Sequence, residues 1–549
     1  MRLLDFIRVT VLARGCVALG YKPYEQTPLG SSPHETEIGS PLTEAFDAKA
    51  EHVLEHFHIP GLAVSVVRNG TTYAKGYGYA NLSTTPHTPV SPDTLFFAGS
   101  TTKAHTAAAI SLLVDNNTHF PEIRWSTPLY TLLPEFILSD SYATTRLTLT
   151  DILSHRSGLP RHDIILTQEL TLPEVVEKLK YLPMTADLRT EFQYCNLMYI
   201  TAAHLIEKTT NQSLYEFLRE NLWSPLNMTS TYLDTAPALA DQRPVSEGYH
   251  FNPSTNTTIA TNLAYSRGIR GAGNILTSVN EYAKWVAALL SHAPPISEAG
   301  YAALFNAHSI IMPQVNPPFS APDLYGFGWI LQSYKGVQII QHGGAQPGFG
   351  ANVVLIPALD TGFAILGNEM LGTGAASSVL AFEIIDDLLG LKEEERFDWE
   401  GLADTQLSDL KSTNKTLSAL YPDLPDTPDL LPHPLPLDAY VGRYTHPIYP
   451  ALNITSNCPD RDVLKNPKKW TGTRLCAYFD NYELVFGEAT IDLFHITGTY
   501  WTLVSSMEGI DQAMRVEFRI SPEGVVTEVG VDFEEVMQKT GDKIWLTRA

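Results

Sequence analysis

Three short motifs in this chain carry side chains suited to acyl transfer. Ser100-Thr101-Thr102-Lys103 sets a hydroxyl and an amine three residues apart. On a helix, positions i and i+3 share a face, so Lys103 stands one turn beyond Ser100. A serine hydroxyl is a weak nucleophile until a nearby base takes its proton. A lysine held in a desolvated pocket has a lowered pKa and can be that base. Tyr194-Cys195-Asn196 adds a phenol that can share the proton with Lys103, and a carboxamide that can hold both the lysine and a substrate. His342-Gly343-Gly344-Ala345 follows the β-branched run 337–340, so it sits on or at the end of a strand. Glycines there let a ligand approach the backbone closely.

Each motif alone has an ordinary reading. S-x-x-K recurs at Ser408 and Ser412 in a polar stretch, and Y-x-N recurs at Tyr79, where it reads as a hairpin turn. A lone Tyr194 is more often a core residue with a satisfied hydroxyl. A lone H-G-G is a tight turn with an exposed histidine. Cys195 reads as a small buried spacer rather than a reactive thiol. Ser100 stands out by its setting: Phe96-Phe97-Ala98-Gly99 forms an apolar, glycine-broken approach, and a helix follows directly.

The elements that must position these motifs can be read along the chain. Residues 43–58 are helix-like, with Thr43 as N-cap. Residues 61–68 and 71–78 form a hairpin about Asn69-Gly70. Helices are expected over 100–116, 278–291 and 374–389, and strands over 337–341, 351–357 and 361–366. Strands at both ends with helices between them predict an α/β (α+β) unit over 41–391, its antiparallel sheet assembled from both ends of the segment. Residues 1–40 read as a leader or extension. Residues 392–436 read as a linker, first charged, then rich in proline at Pro422, Pro425, Pro428, Pro432, Pro434 and Pro436. Residues 437–549 carry short alternating runs, as in a small antiparallel β-barrel or sandwich.

Composition narrows the partners. The 549 residues carry a formal net charge of -23, which argues against nucleic acid, since phosphate binding needs a basic surface. No apolar run approaches the roughly 20 residues of a transmembrane segment. No metal-ligand spacing or nucleotide loop is present, so no cofactor and no metal are expected, and the partner is a small-molecule acyl substrate. Asp5, Arg8 and Arg14 make the leader a poor secretory signal. Sequons at Asn69, Asn81, Asn116, Asn211, Asn227, Asn256, Asn414 and Asn453 lean towards export, with the cytoplasm as the alternative. Cys458 and Cys476 are either one disulfide between neighbouring strands or two free thiols.

S-x-x-K, Y-x-N and H-x-G occur in that order, and the chain here resembles class C β-lactamases, D-Ala-D-Ala carboxypeptidase-like proteins and related esterases and acyltransferases. The stretches 153–160, 225–228, 325–329 and 348–368 are also similar to that family. The resemblance covers about residues 41–391. It implies a β-lactamase/transpeptidase-like antiparallel sheet flanked by helices. It implies Ser100 as nucleophile, Lys103 and Tyr194 as proton carriers, Asn196 as the residue positioning Lys103 and substrate, and the backbone N–H groups of Ser100 and Ala345 as oxyanion hole.

One departure bears on substrate. Where the family's β-lactamases have K-T-G, this chain has His342. A literal Lys539-Thr540-Gly541 lies beyond the proline-rich stretch and reads as a decoy. Without that lysine a substrate carboxylate loses its cation, which favours neutral esters, lactones or amides. Arg267 and Arg270 are the candidates for a substitute cation. The reading is a serine hydrolase working through an acyl-enzyme. The alternatives are an acyltransferase of a natural-product pathway, a D-amino-acid peptidase or amidase, and a non-catalytic binding module of the same fold.

Overall fold

Described here, from a computed structural model, are residues 39–167, 170–253, 255–261, 269–410, 420–421, 430–458, 473–480, 490–507 and 510–549. Most of the leader, Arg267, the sequon Asn414 and the prolines 422–428 lie outside the described residues.

Helix α1 (Glu44–His56) starts where the Thr43 side chain accepts the Phe46 backbone N–H. Strands β1 (Gly61–Arg68) and β2 (Thr71–Asn81) pair across Asn69-Gly70, both at positive φ, as a tight hairpin turn requires. The sheet also holds β3 (Thr88–Pro89), β4 (Ser309–Met312), β5 (Asp323–Tyr325), β6 (Ile330–Tyr334), β7 (Val337–Gln346), β8 (Phe349–Ile356) and β9 (Thr361–Gly367). Its order is β3-β2-β1-β9-β8-β7-β6-β5-β4. The first hairpin therefore meets the last strand, with Leu62 opposite Gly367 and Arg68 opposite Thr361. The sheet is closed from both ends of the catalytic unit, as the sequence implies. The edge strand β4 and its neighbour β5 are new; three or four residues are too few to show an alternation.

Both faces of the sheet are covered. On β8, Val353 and Leu355 join the core on the side of α2 (Thr102–Asp115), α3 (Asn196–Thr210) and α4 (Val279–Ser291). Val354 and Ile356 join the other, against α1 and α5 (Met370–Leu388). Burial on two faces is why 349–356 is almost continuously apolar instead of alternating.

Part of the stretch expected to be a linker, 392–436, is helical. Helix α6 (Trp399–Leu410) packs on the catalytic unit, and the Trp399 ring stacks on Phe382 at 3.6 Å between centroids. Ion pairs fasten it to α1: Lys49 to Glu400 at 2.8 Å, His56 to Asp404 at 2.9 Å. The high charge of this stretch hides its short apolar strip, Trp399, Leu402 and Ala403.

The C-terminal strands are β10 (Gly442–Thr445), β11 (Leu452–Thr455), β12 (Arg474–Phe479), β13 (Thr490–Thr497), β14 (Tyr500–Met507), β15 (Ile510–Ile520), β16 (Val526–Val531) and β17 (Ile544–Arg548). They form a closed barrel, not a sandwich, sealed where β10 pairs with β17. Cys458 and Cys476 are joined by a disulfide. Lys539-Thr540-Gly541 ends the short helix Glu535–Thr540, with Gly541 left-handed at φ 83, so this K-T-G is a helix stop in the barrel. Barrel and catalytic unit share one contiguous core. Among the described residues no helix is long and apolar enough to cross a membrane.

If 399–410 belongs to the catalytic unit, Trp399→Ala should destabilise the full chain by about 3 kcal/mol, as expected for a buried tryptophan. Urea unfolding measures this, and a loss below about 0.5 kcal/mol, the size of an ordinary surface effect, would return the helix to the linker.

Candidate active site

Ser100 lies in a single turn of 3-10 helix, Gly99–Thr101, that runs into α2. The turn is pinned from both sides. Ala98 N–H donates to Ile275 O, Thr102 Oγ1 donates to Gly99 O, and Ile275 N–H donates to Thr102 Oγ1. Lys103 then points back at the nucleophile. Its Nζ donates to Ser100 Oγ at 3.0 Å and to Ala272 O at 2.7 Å, and the residue is fully buried. Burial above all, and next the nearby Arg161 charge, hold its pKa well below the ordinary lysine value. A neutral amine at this spot can keep one N–H on Ala272 and turn its lone pair to the serine hydroxyl.

Tyr194 stands over this pair, with Lys103 Nζ 4.8 Å from its ring centre. Its hydroxyl is buried without a hydrogen bond of good geometry. Burial pushes its pKa up, while the Arg161 charge and the Ser100 hydroxyl pull it down. Asn196 begins α3, and its Nδ2 donates to Asp163 Oδ1 at 2.7 Å. Its Oδ1 is buried without a partner and makes no hydrogen bond to Lys103. The expected hold of Asn196 on the lysine is thus absent, and Ala272 O occupies that role. Cys195 is a buried free thiol pushed up to about 12 by burial, as a spacer would be.

The third motif lies on β7. Neighbour β6 pairs only as far as Gln341, whereas β8 pairs from Ile340 to Gln346. Residues 342–346 therefore keep one edge free of strand pairing, and that edge lies against the nucleophile turn. A Cβ on Gly344 would overlap the Ala98 carbonyl oxygen and stand 3.2 Å from Ser100 N. A Cβ on Gly99, at φ 49, would lie 2.6 Å from Ala345 N and 2.8 Å from Ala345 O. Both glycines are needed for this approach, and it brings the backbone N–H groups of Ser100 and Ala345 to one place. Gly343 is half-buried beside them.

His342 is fully buried. Its Nδ1 donates to Gly343 O at 2.7 Å, so its Nε2 accepts from the Tyr325 hydroxyl at 3.0 Å. Both ring nitrogens are used within the protein, which leaves a neutral His342 no hydrogen bond to offer a substrate. Burial first, then Lys103, lower its pKa to about 3, so it carries no charge.

Of the two candidate cations, Arg270 pairs with Asp234 at 3.3 Å, and Arg267 lies outside the described residues. Among the described residues the site also holds Arg161, whose guanidinium carbon lies 4.7 Å from the Tyr194 ring centre. It pairs with Asp163 at 2.7 Å, which offsets its charge. His155 also belongs here: its Nδ1 accepts the Cys195 backbone N–H at 3.0 Å, and its ring lies 4.2 Å from that of Tyr194. The signal for both was present, as titratable residues crowded among apolar ones over 155–163. Among the described residues these groups form no metal cluster.

One proton-transfer unit should respond as one. Lys103→Met and Tyr194→Phe are each expected to lose several orders of magnitude in acylation rate, and the double variant little more. Pre-steady-state acylation measures this; fully additive losses would show two independent groups.

Comparisons with known proteins identify the family. The Beta-lactamase family pattern matches residues 46–382. The chain is 36% identical over 523 residues to "Unguisins hydrolase ungD'" of Aspergillus campestris, covering 93% of each. It is 34% identical over 544 residues to "Unguisins hydrolase ungD" of Aspergillus violaceofuscus, covering 95% of this chain and 92% of that one. The octameric penicillin-binding protein homologue from Pyrococcus abyssi shares the fold, with a TM-score of 0.57 at 19% identity over 89% of this chain and 98% of that one. The chain belongs to the β-lactamase family and is a serine hydrolase of the β-lactamase-related type.

Proposed function

We propose that the chain hydrolyses a neutral amide or ester through an acyl-enzyme on Ser100. The observation that carries this is the hydrogen bond of 3.0 Å between Ser100 Oγ and a fully buried Lys103. Lys103 takes the hydroxyl proton as Ser100 Oγ attacks the substrate carbonyl carbon. Negative charge gathers on the carbonyl oxygen between the N–H groups of Ser100 and Ala345, fixed donors that need no reorganisation. As the tetrahedral species collapses, the leaving amine or alkoxide takes a proton from the Lys103–Tyr194 pair. Water then attacks the Ser100 ester with the same groups in reverse order, which frees the acid and restores the serine.

Charge supports a neutral substrate. His342 is uncharged where related β-lactamases carry lysine, and Asp163 offsets the charge of Arg161. Neither presents a free cation to a carboxylate. The two fungal relatives named unguisins hydrolases cover nearly the whole chain, barrel included, so unguisins are the first substrates to test.

The test compares kcat/KM for an unguisin, a short-chain aryl ester and a penicillin-like lactam, with the adduct mapped by mass spectrometry. The neutral substrates should be preferred, the adduct should sit on Ser100, and Ser100→Ala should abolish it while leaving the fold intact. A better rate on the lactam would refute the neutral-substrate reading, and an adduct elsewhere would refute the nucleophile.

A further inference from the structure

Residues 161–163 face three ways. Arg161 lies on the Tyr194 ring, and Asp163 accepts from Asn196 Nδ2 and from Arg161 Nε, both at 2.7 Å. Between them His162 is fully buried and turns to the barrel, where its Nδ1 lies 2.5 Å from the Tyr449 hydroxyl. The His162 backbone is left-handed, φ 53. A residue with a Cβ is strained there, and it stays only when its surroundings over-determine it.

Those surroundings come from the barrel. The Tyr449 ring stacks on Phe533 at 4.8 Å between centroids. The next residue, Glu534, is buried at the start of the helix Glu535–Thr540, and its Oε1 is out of water with no hydrogen bond. Burial first, then the charge of Asp163, push its carboxyl up to about 8, while the charge of Arg161 and, more weakly, the His162 backbone N–H draw it partly back. Glu534 thus sits beside Asp163 and His162 and adds little charge near neutral pH.

We infer that the barrel supplies Tyr449 and Glu534 as positioning residues, which hold His162 in its left-handed conformation and so set Arg161 against Tyr194 and Asp163 against Asn196. This rests on the proposed roles of Ser100, Lys103 and Tyr194. The barrel then does more than flank the site: it holds the tyrosine and asparagine side of the pocket. The serine and lysine side is held by α2 and Ala272, which make no such contact with Tyr449 or Glu534. Loss of the clamp should therefore slow the chemistry and spare the nucleophile. Reaction of Ser100 with a small phosphonate should still reach completion, and turnover should fall.

The experiment uses the full chain with Glu534→Leu, Glu534→Gln and Tyr449→Phe. Misplacement of a catalytic side chain is expected to lower kcat by about tenfold or more in Glu534→Leu and Tyr449→Phe. KM should change little, because the lost interaction belongs to the transition state. Labelling of Ser100 by a fluorophosphonate should slow with kcat, because Tyr194 shares in activating the serine, yet still reach completion, because Ser100 and Lys103 keep their places. Glu534→Gln, which keeps the shape and an acceptor for His162, should restore kcat. Amide hydrogen exchange should quicken over 160–164 in Glu534→Leu. If that variant fails to fold, Tyr449→Phe decides the matter by the same readouts. Unchanged kcat in the folded variants overturns the inference. So does labelling of Ser100 that no longer reaches completion, or a Gln variant as damaged as the Leu variant. A wild-type chain that does not label at Ser100 counts against the serine mechanism instead, and exchange over 160–164 then judges the clamp alone.

Discussion

The site depends on the removal of one amine from water. Lys103 is fully buried beside Ser100, with a backbone carbonyl and a serine hydroxyl as its hydrogen-bond partners. An ammonium is costly in such a place, so the neutral form is favoured. Arg161 strengthens the effect by placing a second positive charge nearby. Much of the surrounding structure keeps this arrangement dry and fixed. Gly328, at φ 79, lets the chain before β6 pass so close to α2 that a Cβ would lie 2.7 Å from Ala104 N. Thr106 Oγ1 ties the middle of the helix to Gly271 O, one residue before the carbonyl that holds the lysine.

The second constraint is the approach of strand β7 to the nucleophile turn. Backbone can meet backbone there because Gly99 and Gly344 have no side chains. The same strand carries His342, whose ring is occupied by Gly343 O and Tyr325. Among the described residues the turn and the strand would offer backbone donors to a carbonyl oxygen, while His342 is uncharged and Arg161 is paired with Asp163. That asymmetry separates the proposed chemistry from penicillin hydrolysis without altering the catalytic frame. The barrel, which holds none of the three motifs, meets the catalytic unit at His162, whose Nδ1 lies 2.5 Å from the Tyr449 hydroxyl.

Much of the frame is legible in the sequence. The motifs, the hairpin at Asn69-Gly70, the helix caps at Thr43 and Ser278 and the apolar run of β8 are local signals, each written within a few residues. The disulfide was visible only as an option, because spacing cannot show geometry. The helix Trp399–Leu410 was not legible because charge dominates 392–410, and burial of Trp399 depends on Phe382, which belongs to another helix.

By itself the sequence determined the nucleophile turn, the order of the motifs, the class of fold and the absence of a cationic third motif, since these are set by residue type and near-neighbour spacing. Only the tertiary structure decided what each polar group is paired with. It gave Asn196 to Asp163 instead of to Lys103. It took both nitrogens of His342 out of use, and it set Arg161 by the Tyr194 ring and Arg270 against Asp234. It also brought Tyr449 and Glu534 to His162 from far along the chain. Hydrogen bonds and charges act over a few ångströms in space, and separation along the chain carries no record of that distance.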